Sequence, residues 1–339
     1  MKKIFKIMLV LFVLVGCGQK TETVDDDEKT YVIGLCNYVD DASLNQIVSN
    51  IKEELSALEE EYGVTFKVEE ANANGDITII NQIISDFVAD DVDLMIGVAT
   101  PVALAMQTVS EENDIPVVFA AVSDPVGVGL VKSLDNPGVN MTGTADYLDT
   151  ETLFNLIFAL EKDEKVALLY DAGQDSSYAA INSAREILGR NNIEYKEYIG
   201  TNTSEIKMAV SNIVADGFKV VFTPTDNTVM TAELSIYEDF MNNGIKHYAG
   251  ADSFALNGAF LGFGVDYAAL GKKTADMVGD ILVNDKDLST YPVENCDSNI
   301  VTINSDVCDA LGINISDLEE LFSPYCSEIK SIKTAESFE

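Results

Sequence analysis

Short, nearly continuous apolar segments alternate with segments of helical periodicity over most of this chain. Three of the apolar segments are DLMIGVA (93–99), PVVFAAV (116–122) and KVALLY (165–170). Strands of this composition are typical of parallel sheets that are covered on both faces. Between such segments, apolar residues recur three or four positions apart, as they do from Leu44 to Leu58, which predicts helices with one buried face. The alternation therefore predicts an α/β fold.

The alternation occurs in two successive blocks. The strands predicted in them are Tyr31–Tyr38, Thr65–Glu70, Asp93–Ala99 and Pro116–Val122, then Lys165–Tyr170, Tyr195–Ile199, Lys219–Phe222 and His247–Ala251. The blocks share this order of elements but no convincing residue-level repeat. Parallel strands need long crossovers, which are right-handed in nearly all proteins. We therefore expect two doubly wound parallel-sheet lobes.

Polar residues follow six of the predicted strands. They occur at Asn37-Tyr38, Thr100, Ser123-Asp124, Asp171 to Ser177, Thr223 to Asn227, and Asp252-Ser253. Helix capping accounts for some of them, because Ser, Thr, Asp and Asn cap helices in any such fold. Ligands of open α/β sheets, however, bind outside the carboxyl ends of the strands. Polar ends in both blocks favour a ligand cleft between two lobes over capping alone.

These strand ends offer groups that bind rather than groups that react. Helix N-termini after Ser43, Thr100 and Ser176 can hold a small carboxylate through backbone N–H groups. Asp226 or Asp252 can neutralise an ammonium group, an interaction that strengthens when water is excluded. Together these groups suit the zwitterion of an amino acid.

Signatures of catalysis, metal binding and cofactor binding are missing from the sequence. There is no GxSxG, GxxxxGK[ST] or HExxH motif, and no cysteine lies in a CxxC pair. Gly127 and Gly129 form a G-x-G that is best explained as a turn. His247 is the single histidine, for which we expect a structural or surface role. We therefore predict no enzyme activity, no catalytic residues, no metal and no cofactor.

The N-terminus has the pattern of an export signal. Three lysines precede an apolar run from Ile7 to Val15, which ends at Gly16-Cys17. The run is too short to cross a hydrocarbon core of about 30 Å. We predict a signal peptide at 1–16 and a flexible, acidic tether at 17–30. An ordinary signal peptide with a chance cysteine is the alternative.

Charge and cysteine content limit the partners and the compartment. A formal net charge of −36 repels phosphate backbones, so we expect no binding to nucleic acid. Cys36 lies in an apolar strand and is predicted to be a small buried residue. A location outside the cell would permit disulfide pairing among Cys296, Cys308 and Cys326.

Several motifs together resemble a known family. They are GVATPVA (97–103), AAVSDPVGVGLV (120–131), NMTG (140–143), TPTDNTV (223–229) and GVDYAALGKKTADM (264–277). With the lipobox-like start, the chain resembles the solute-binding lipoproteins of ABC importers, and within them the tryptophan/tyrosine-type substrate-binding proteins. The first strand end, from Asn37 to Ser43, is more acidic than this family leads us to expect, and the segment after residue 296 matches no motif of the family.

The resemblance implies a type I periplasmic-binding-protein fold with one ligand between two lobes. It places residues 31–145 and 262–295 in the first lobe, 146–261 and 296–325 in the second, and leaves 326–339 as a C-terminal tail. The chain is then expected to cross between the lobes near residues 145, 262 and 296.

The resemblance also implies which residues line the cleft. On the first lobe's side they are Thr100, Ser123 and Asp124; on the second lobe's side they are Ser176, Ser177, Asp226, Asn227 and Asp252. Ser43 joins them as a helix N-terminus. Tyr38 and Tyr147 are candidates for contact with an aromatic ligand, although both can equally be ordinary interface or core tyrosines.

The expected function is therefore that of a monomeric, extracytoplasmic receptor with a fatty-acyl (palmitate) membrane anchor on Cys17. It would bind a small amino acid, tryptophan, tyrosine or phenylalanine, and pass it to an ABC permease. Three alternatives remain open at this point: a branched-chain amino acid as ligand, a nucleoside as ligand, and a sensory lipoprotein that reports a ligand to a membrane partner.

Overall fold

A computed structural model of the protein describes residues 29–296 and 298–338. The predicted signal peptide at 1–16, Cys17 and the tether up to residue 28 lie outside the described residues. Among the described residues, no helix is both long enough and apolar enough to cross a membrane.

The described chain contains thirteen strands and twelve α-helices, which alternate along most of its length. The strands are β1 Lys29–Asn37, β2 Val64–Asn72, β3 Leu94–Val98, β4 Val117–Val122, β5 Met141–Ala145, β6 Val166–Tyr170, β7 Tyr195–Ile199, β8 Val220–Thr223, β9 Lys246–Ala249, β10 Leu261–Val265, β11 Glu294–Asn295, β12 Ser298–Asn304 and β13 Glu328–Ile332. The helices are α1 Ala42–Tyr62, α2 Ile77–Ala89, α3 Thr100–Asn113, α4 Thr150–Leu160, α5 Asp175–Arg190, α6 Thr203–Ala215, α7 Asn227–Ala232, α8 Tyr237–Asn242, α9 Asp252–Leu256, α10 Tyr267–Val283, α11 Ser305–Leu311 and α12 Ile315–Phe322.

The strands form two sheets, one in each lobe. Sheet 1 has the order β11-β5-β4-β3-β1-β2, and sheet 2 has the order β13-β12-β10-β9-β8-β6-β7. All pairs are parallel except β10 with β12, which is antiparallel. The predicted α/β fold with two doubly wound lobes is confirmed; β12 and β13, which the sequence did not indicate, run antiparallel to the other strands of sheet 2.

Each sheet is covered on both faces by helices with buried apolar residues. On one face of sheet 1, helix α1 packs against α10, and α2 and α3 cover the other face. On sheet 2, α4, α5 and α12 cover one face and α6 to α9 the other. One buried cluster continues across the lobe boundary, because Leu44 of the first lobe belongs to the same cluster as Phe254 of the second.

The chain passes between the two sheets three times. It leaves sheet 1 after Ala145, leaves sheet 2 after Val265 and leaves sheet 1 again after Asn295. The second passage lies a few residues after the expected position near 262, because β10 belongs to sheet 2 along its whole length.

The C-terminal segment is a correction to the sequence analysis. Residues 326–339 were expected to be a tail, but β13 pairs with β12 and forms the edge of sheet 2. Beyond this strand, the Ala335 N–H donates to the carbonyl of Leu256 at the end of α9. The segment therefore completes the second lobe.

The surroundings of the described cysteines and of His247 indicate structural roles. All four cysteines in the described part of the chain are free, and Cys36 is fully buried in β1, as predicted. His247 is also buried; its Nδ1 lies 3.0 Å from Glu233 Oε1 and its Nε2 lies 2.8 Å from Thr223 Oγ1. Glu233 lies in a short 3₁₀ turn, Glu233–Ser235, between α7 and α8.

Candidate functional site

A small cavity lies between the two lobes. Its walls come from the carboxyl ends of strands in both sheets, among them the residues after β3, β4, β8 and β9. This is the position at which open α/β sheets bind their ligands.

Two helices point uncapped N-termini at this cavity. Helix α3 has Ala99 at its N-cap position and α5 has Gln174, and neither side chain caps its helix. Helix α1 differs, because Asp41 accepts a hydrogen bond from the Leu44 N–H at 3.0 Å. The first N–H groups of a helix need partners and attract anions. Of the three helix N-termini proposed from the sequence, those at Thr100 and Ser176 remain open, whereas Asp41 already caps the one at Ser43.

Three buried polar atoms on the cavity wall have no hydrogen-bond partner within the described residues. They are Thr100 Oγ1, Ser176 Oγ and Asp146 Oδ1. Buried polar atoms are nearly always paired, so each orphaned atom requires an explanation. Because all three atoms belong to residues that line one cavity, a polar ligand in that cavity explains them together.

Asp146 lies at the first passage between the lobes. Its side chain is buried, and Tyr267 OH donates to its Oδ2 at 3.2 Å. Burial raises the pKa of the Asp146 carboxyl to about 6. A carboxylate with one orphaned oxygen, facing a cavity, is suited to bind a cation.

Asp226 is also buried on the cavity wall, but its oxygens are occupied. Oδ1 accepts from the Val229 N–H at 2.9 Å, and Oδ2 accepts from the Asp171 N–H at 2.8 Å and from Ser177 Oγ at 2.7 Å. Burial raises its pKa to about 6 despite these bonds. The contacts make Asp226 the cap of α7 and the anchor of the loop after β6.

Two further carboxyl groups with raised pKa lie near the cavity. Burial raises the pKa of Asp41 to about 6 and that of Asp252 to about 7. Asp252 accepts a hydrogen bond from Ser43 Oγ at 3.1 Å, which joins the two lobes directly. The cavity wall itself contains no lysine, arginine or histidine among the described residues, so this negative charge is left for a cationic ligand group.

The remaining wall is apolar and partly strained. Leu44, Met230, Phe254 and Tyr267 contribute side chains from both lobes. Ala99 and Ala121 line the cavity with positive φ angles of 76° and 55°. Non-glycine residues in this conformation are costly and cluster at ligand sites.

The structure brings six of the eleven candidate residues to the cavity wall: Ser43, Thr100, Ser123, Ser176, Asp226 and Asn227. Five lie elsewhere. Ser177 supports Asp226, Asp252 contacts Ser43, and Asp124 accepts from the Gly127 N–H within the expected turn. The other two are the tyrosines, of which Tyr147 is 57% exposed and Tyr38 lines a separate groove with Asn74 and Thr228.

Sequence reasoning missed Asp41, Asp146, Phe254 and Tyr267 on the cavity wall. Asp146 directly follows a strand, so the rule applied to the other strand ends would have found it, had β5 been recognised. Phe254 and Tyr267 lie in helical segments, where their periodicity resembles that of ordinary core residues. No sequence signal distinguishes them.

Comparisons with known proteins identify the family of the chain. The family model for ABC transporter substrate binding proteins matches residues 32–322. A tyrosine-binding protein of Clostridioides difficile (strain R20291) is 29% identical over 348 residues, which cover 99% of this chain and 98% of that protein.

Two solved structures are similar over nearly the whole described chain. A Streptococcus pneumoniae protein in complex with L-Trp has a TM-score of 0.80 and 25% identity, and covers 89% of this chain and 100% of its own. A ligand-free, open substrate-binding protein from Clostridium difficile, which has adhesive properties, has a TM-score of 0.66 and 28% identity, and covers 90% and 100%. The strand-end cavity and these matches lead to one conclusion: the chain belongs to the ABC transporter substrate-binding protein family, whose members bind their substrates rather than convert them.

Proposed function

We propose that this protein captures the zwitterion of an aromatic amino acid between its lobes and delivers it to the permease of an ABC importer. The observation that carries the proposal is the set of orphaned polar atoms on one cavity wall: a carboxylate oxygen of Asp146 and the hydroxyls of Thr100 and Ser176. They complement an ammonium group and a carboxylate on one small ligand.

The ligand carboxylate is assigned to the N-terminus of α3. This helix has no side-chain cap and no acidic residue in its first turn, so its N–H groups and the Thr100 hydroxyl are available to an anion. Helix α5 carries Asp175 in its first turn, which makes it the weaker anion site. Ser176 can still donate to the ligand from the opposite lobe.

The ligand ammonium is assigned to Asp146, in place of the Asp226 or Asp252 suggested by the sequence. Asp226 already accepts three hydrogen bonds, and Asp252 does not line the cavity. Asp146 has a free oxygen and a pKa that burial raises. An ammonium group beside it would stabilise the ionised form.

The aromatic class of the ligand is inferred from the apolar wall and from the relatives. Phe254 and Tyr267 supply ring surfaces, and Leu44 and Met230 supply apolar contacts. One relative is a tyrosine-binding protein, and one similar structure contains L-Trp. A branched-chain amino acid, a nucleoside and a sensory role are the alternatives that experiment must separate.

Capture by lobe closure is supported by two observations. The described chain resembles the L-Trp complex more closely than the ligand-free, open structure, with TM-scores of 0.80 and 0.66 at similar identity. Ser43 also contacts Asp252 across the lobes. We infer that the described conformation is closed, and that ligand favours it because both lobes contact the ligand only there.

Membrane anchoring is proposed through lipidation of Cys17. The carrying observation is the sequence Gly16-Cys17 after a basic and apolar leader. We expect cells grown with labelled palmitate to label the protein, and Cys17→Ala to abolish the label and release the protein from the membrane fraction. A membrane-bound, unlabelled protein would contradict this assignment.

The ligand is tested by titration calorimetry of the purified full chain. The panel is tyrosine, tryptophan, phenylalanine, leucine, isoleucine and adenosine, together with tyramine and 3-(4-hydroxyphenyl)propionate, which lack the carboxylate and the ammonium group respectively. We expect an aromatic amino acid to bind most tightly and both truncated analogues to bind at least tenfold more weakly, because each leaves a buried polar group unpaired. Preference for leucine or adenosine would overturn the aromatic class. Equal binding of tyrosine and tyramine would overturn the carboxylate site.

A further inference from the structure

One hydrogen bond joins side chains of the two lobes beside the cavity. Ser43 lies in the first turn of α1 in the first lobe, and Asp252 is the first residue of α9 in the second. Ser43 Oγ donates to Asp252 Oδ1 at 3.1 Å, and Ser43 is buried. The contact spans 209 positions of sequence. It therefore depends on how the two lobes are placed.

The position of Asp252 separates this contact from ligand binding. Asp226, before α7, and Ser253, in the first turn of α9, line the cavity, whereas Asp252 does not. The only side-chain partner of Asp252 within 29–296 and 298–338 is Ser43. Its carboxylate therefore faces the first lobe and not the cavity.

The contact can exist only when the lobes are together. In an open form both side chains would bind water, so opening exchanges a shielded hydrogen bond for hydrated groups. A buried polar group that loses its partner keeps the cost of its desolvation, so the bond is costly to remove in the closed form. The free energy of this contact is thus added to the closed form alone.

We propose that the hydrogen bond between Ser43 and Asp252 is an interlobe latch, which stabilises the closed form and so sets the rate of ligand release. Asp252 itself does not contact the ligand. The inference rests on the proposed function in one respect: release of a ligand is the quantity that the latch controls. In this proposal the two residues position the lobes, and Asp252 acts on the ligand only through lobe closure.

A second contact between the lobes provides a comparison. Gln174 Nε2 lies 3.4 Å from Tyr38 OH, in a less buried place at the rim of the cleft. A long hydrogen bond of this kind, close to water, stabilises less than a shielded one. Tyr38→Phe is therefore the matched control, because it also removes an interlobe hydroxyl contact.

The experiment is a double-mutant cycle on ligand release. Ser43→Ala, Asp252→Ala and the double variant are loaded with L-tryptophan, and release is followed by stopped-flow fluorescence. The chain contains no tryptophan, so the indole signal comes from the ligand. We expect release to be about tenfold faster in each single variant and no faster in the double variant, with association rates little changed. Tyr38→Phe should change release less than threefold. Asp252→Leu replaces Asp252→Ala if the alanine variant does not fold, because an asparagine oxygen would still accept from Ser43 Oγ.

Several outcomes would overturn the latch. Strictly additive effects of the two substitutions would show that the side chains act independently. A change confined to the association rate would show that closure is not their role. If the wild-type protein binds neither tryptophan nor tyrosine, the proposed ligand fails, and the latch is tested by small-angle scattering without ligand. There we expect a larger radius of gyration in Ser43→Ala than in wild type, and equal radii would refute the latch.

Discussion

Two strand-end aspartates with similar pKa values, one after β5 and one after β8, have different roles in this cleft because their oxygens have different partners. Asp226 accepts three hydrogen bonds from its own lobe, whereas one oxygen of Asp146 has none from the described residues. Burial raises the pKa of both groups to about 6. The number of satisfied lone pairs, and not the pKa, identifies the group that is free to bind a ligand.

Asp146→Asn is expected to weaken tyrosine binding by about 1.5–3 kcal/mol, because that is the range for a hydrogen bond to a charged group. This loss raises the Kd by roughly 10- to 150-fold. Calorimetry checks this value. Asp76→Asn is the control, because Asp76 caps α2 far from the cavity and asparagine caps equally well. An unchanged Kd in Asp146→Asn would remove Asp146 from the ligand site.

Asp226→Asn is expected to lower the stability of the protein. The NH₂ group of an asparagine would replace one carboxylate oxygen and would face a donor, the Asp171 N–H or Ser177 Oγ. At least one donor would therefore lose its acceptor. We expect the free energy of unfolding to fall by about 1–3 kcal/mol, measured by urea denaturation beside Asp76→Asn. If stability is unchanged while tyrosine binding is lost, Asp226 is a direct ligand contact and the assignment of Asp146 is wrong.

At the scale of the elements, α3 begins from a strained residue. Ala99 has φ 76° and ψ 155°, a region that glycine adopts without strain. This backbone turns the chain from β3 into α3, so that the uncapped helix N-terminus meets the cavity. We interpret the strain as a cost of placing the anion site.

Ala99→Gly is therefore expected to raise the free energy of unfolding by about 0.5–1 kcal/mol, since the strain it relieves exceeds the extra chain entropy of glycine. Ala103→Gly, in the interior of the same helix, should lower it by about 1 kcal/mol. Denaturant titration of both variants tests the pair. Destabilisation by both changes would show that Ala99 is not strained.

All eight strands expected from the sequence are present, whereas five others were not expected: β5, β10, β11, β12 and β13. Two of these, β5 and β10, lie next to β4 and β9 in the sheets. Their sequences, MTGTA and LGFGV, contain glycines at positions with no room for a side chain. A Cβ at Gly143 would lie 2.0 Å from the carbonyl oxygen of Phe119, and a Cβ at Gly262 would lie 2.2 Å from the carbonyl oxygen of Ala251. Close packing of backbones required glycine there, and glycine weakens the hydrophobic pattern of a strand.

The cleft was predictable in location but only partly in its residues. Strand ends gave Thr100, Ser123, Ser176 and Asp226 because a simple topological rule locates them. The choice between Asp146 and Tyr147 depends on which of two adjacent side chains turns inward, and Tyr147 turns outward. That direction is decided by packing between lobes, which no local pattern encodes.

For the whole molecule, closure brings acidic side chains together. Lys330 and Asp266 act electrostatically on Asp252, and Lys330 is the one cation among these groups. The neighbouring Tyr267 feels the charges of Asp146, Asp252 and Asp41. Burial outweighs the lysine and raises the pKa of Asp252 to about 7. An exposed aspartate has a pKa of about 3.9, so closure should be linked to proton uptake.

Tyrosine affinity is accordingly expected to fall as the pH rises from 6 to 8, by up to about tenfold from Asp252 alone. The sign follows from the raised pKa: protonation favours the closed form below pH 7, and this contribution is lost as the pH passes through about 7. Below pH 6, protonation of Asp146 should weaken binding again. Calorimetry in buffers of different ionisation enthalpy measures the proton uptake, which Asp252→Asn should reduce. Proton release on binding at pH 7 would contradict the linkage.

The three passages of the chain between the sheets also constrain how the protein can fold as it is synthesised. Sheet 1 lacks β11 until residue 295 is available, and sheet 2 lacks its edge strand until residue 332. Neither lobe is a contiguous stretch of sequence, so the first cannot be completed until most of the second has been made. Many contacts join distant parts of the chain, which slows folding and leaves apolar surface exposed for longer. Completion of both lobes must therefore wait for the last tenth of the polypeptide, and truncation near the C-terminus should impair the entire molecule.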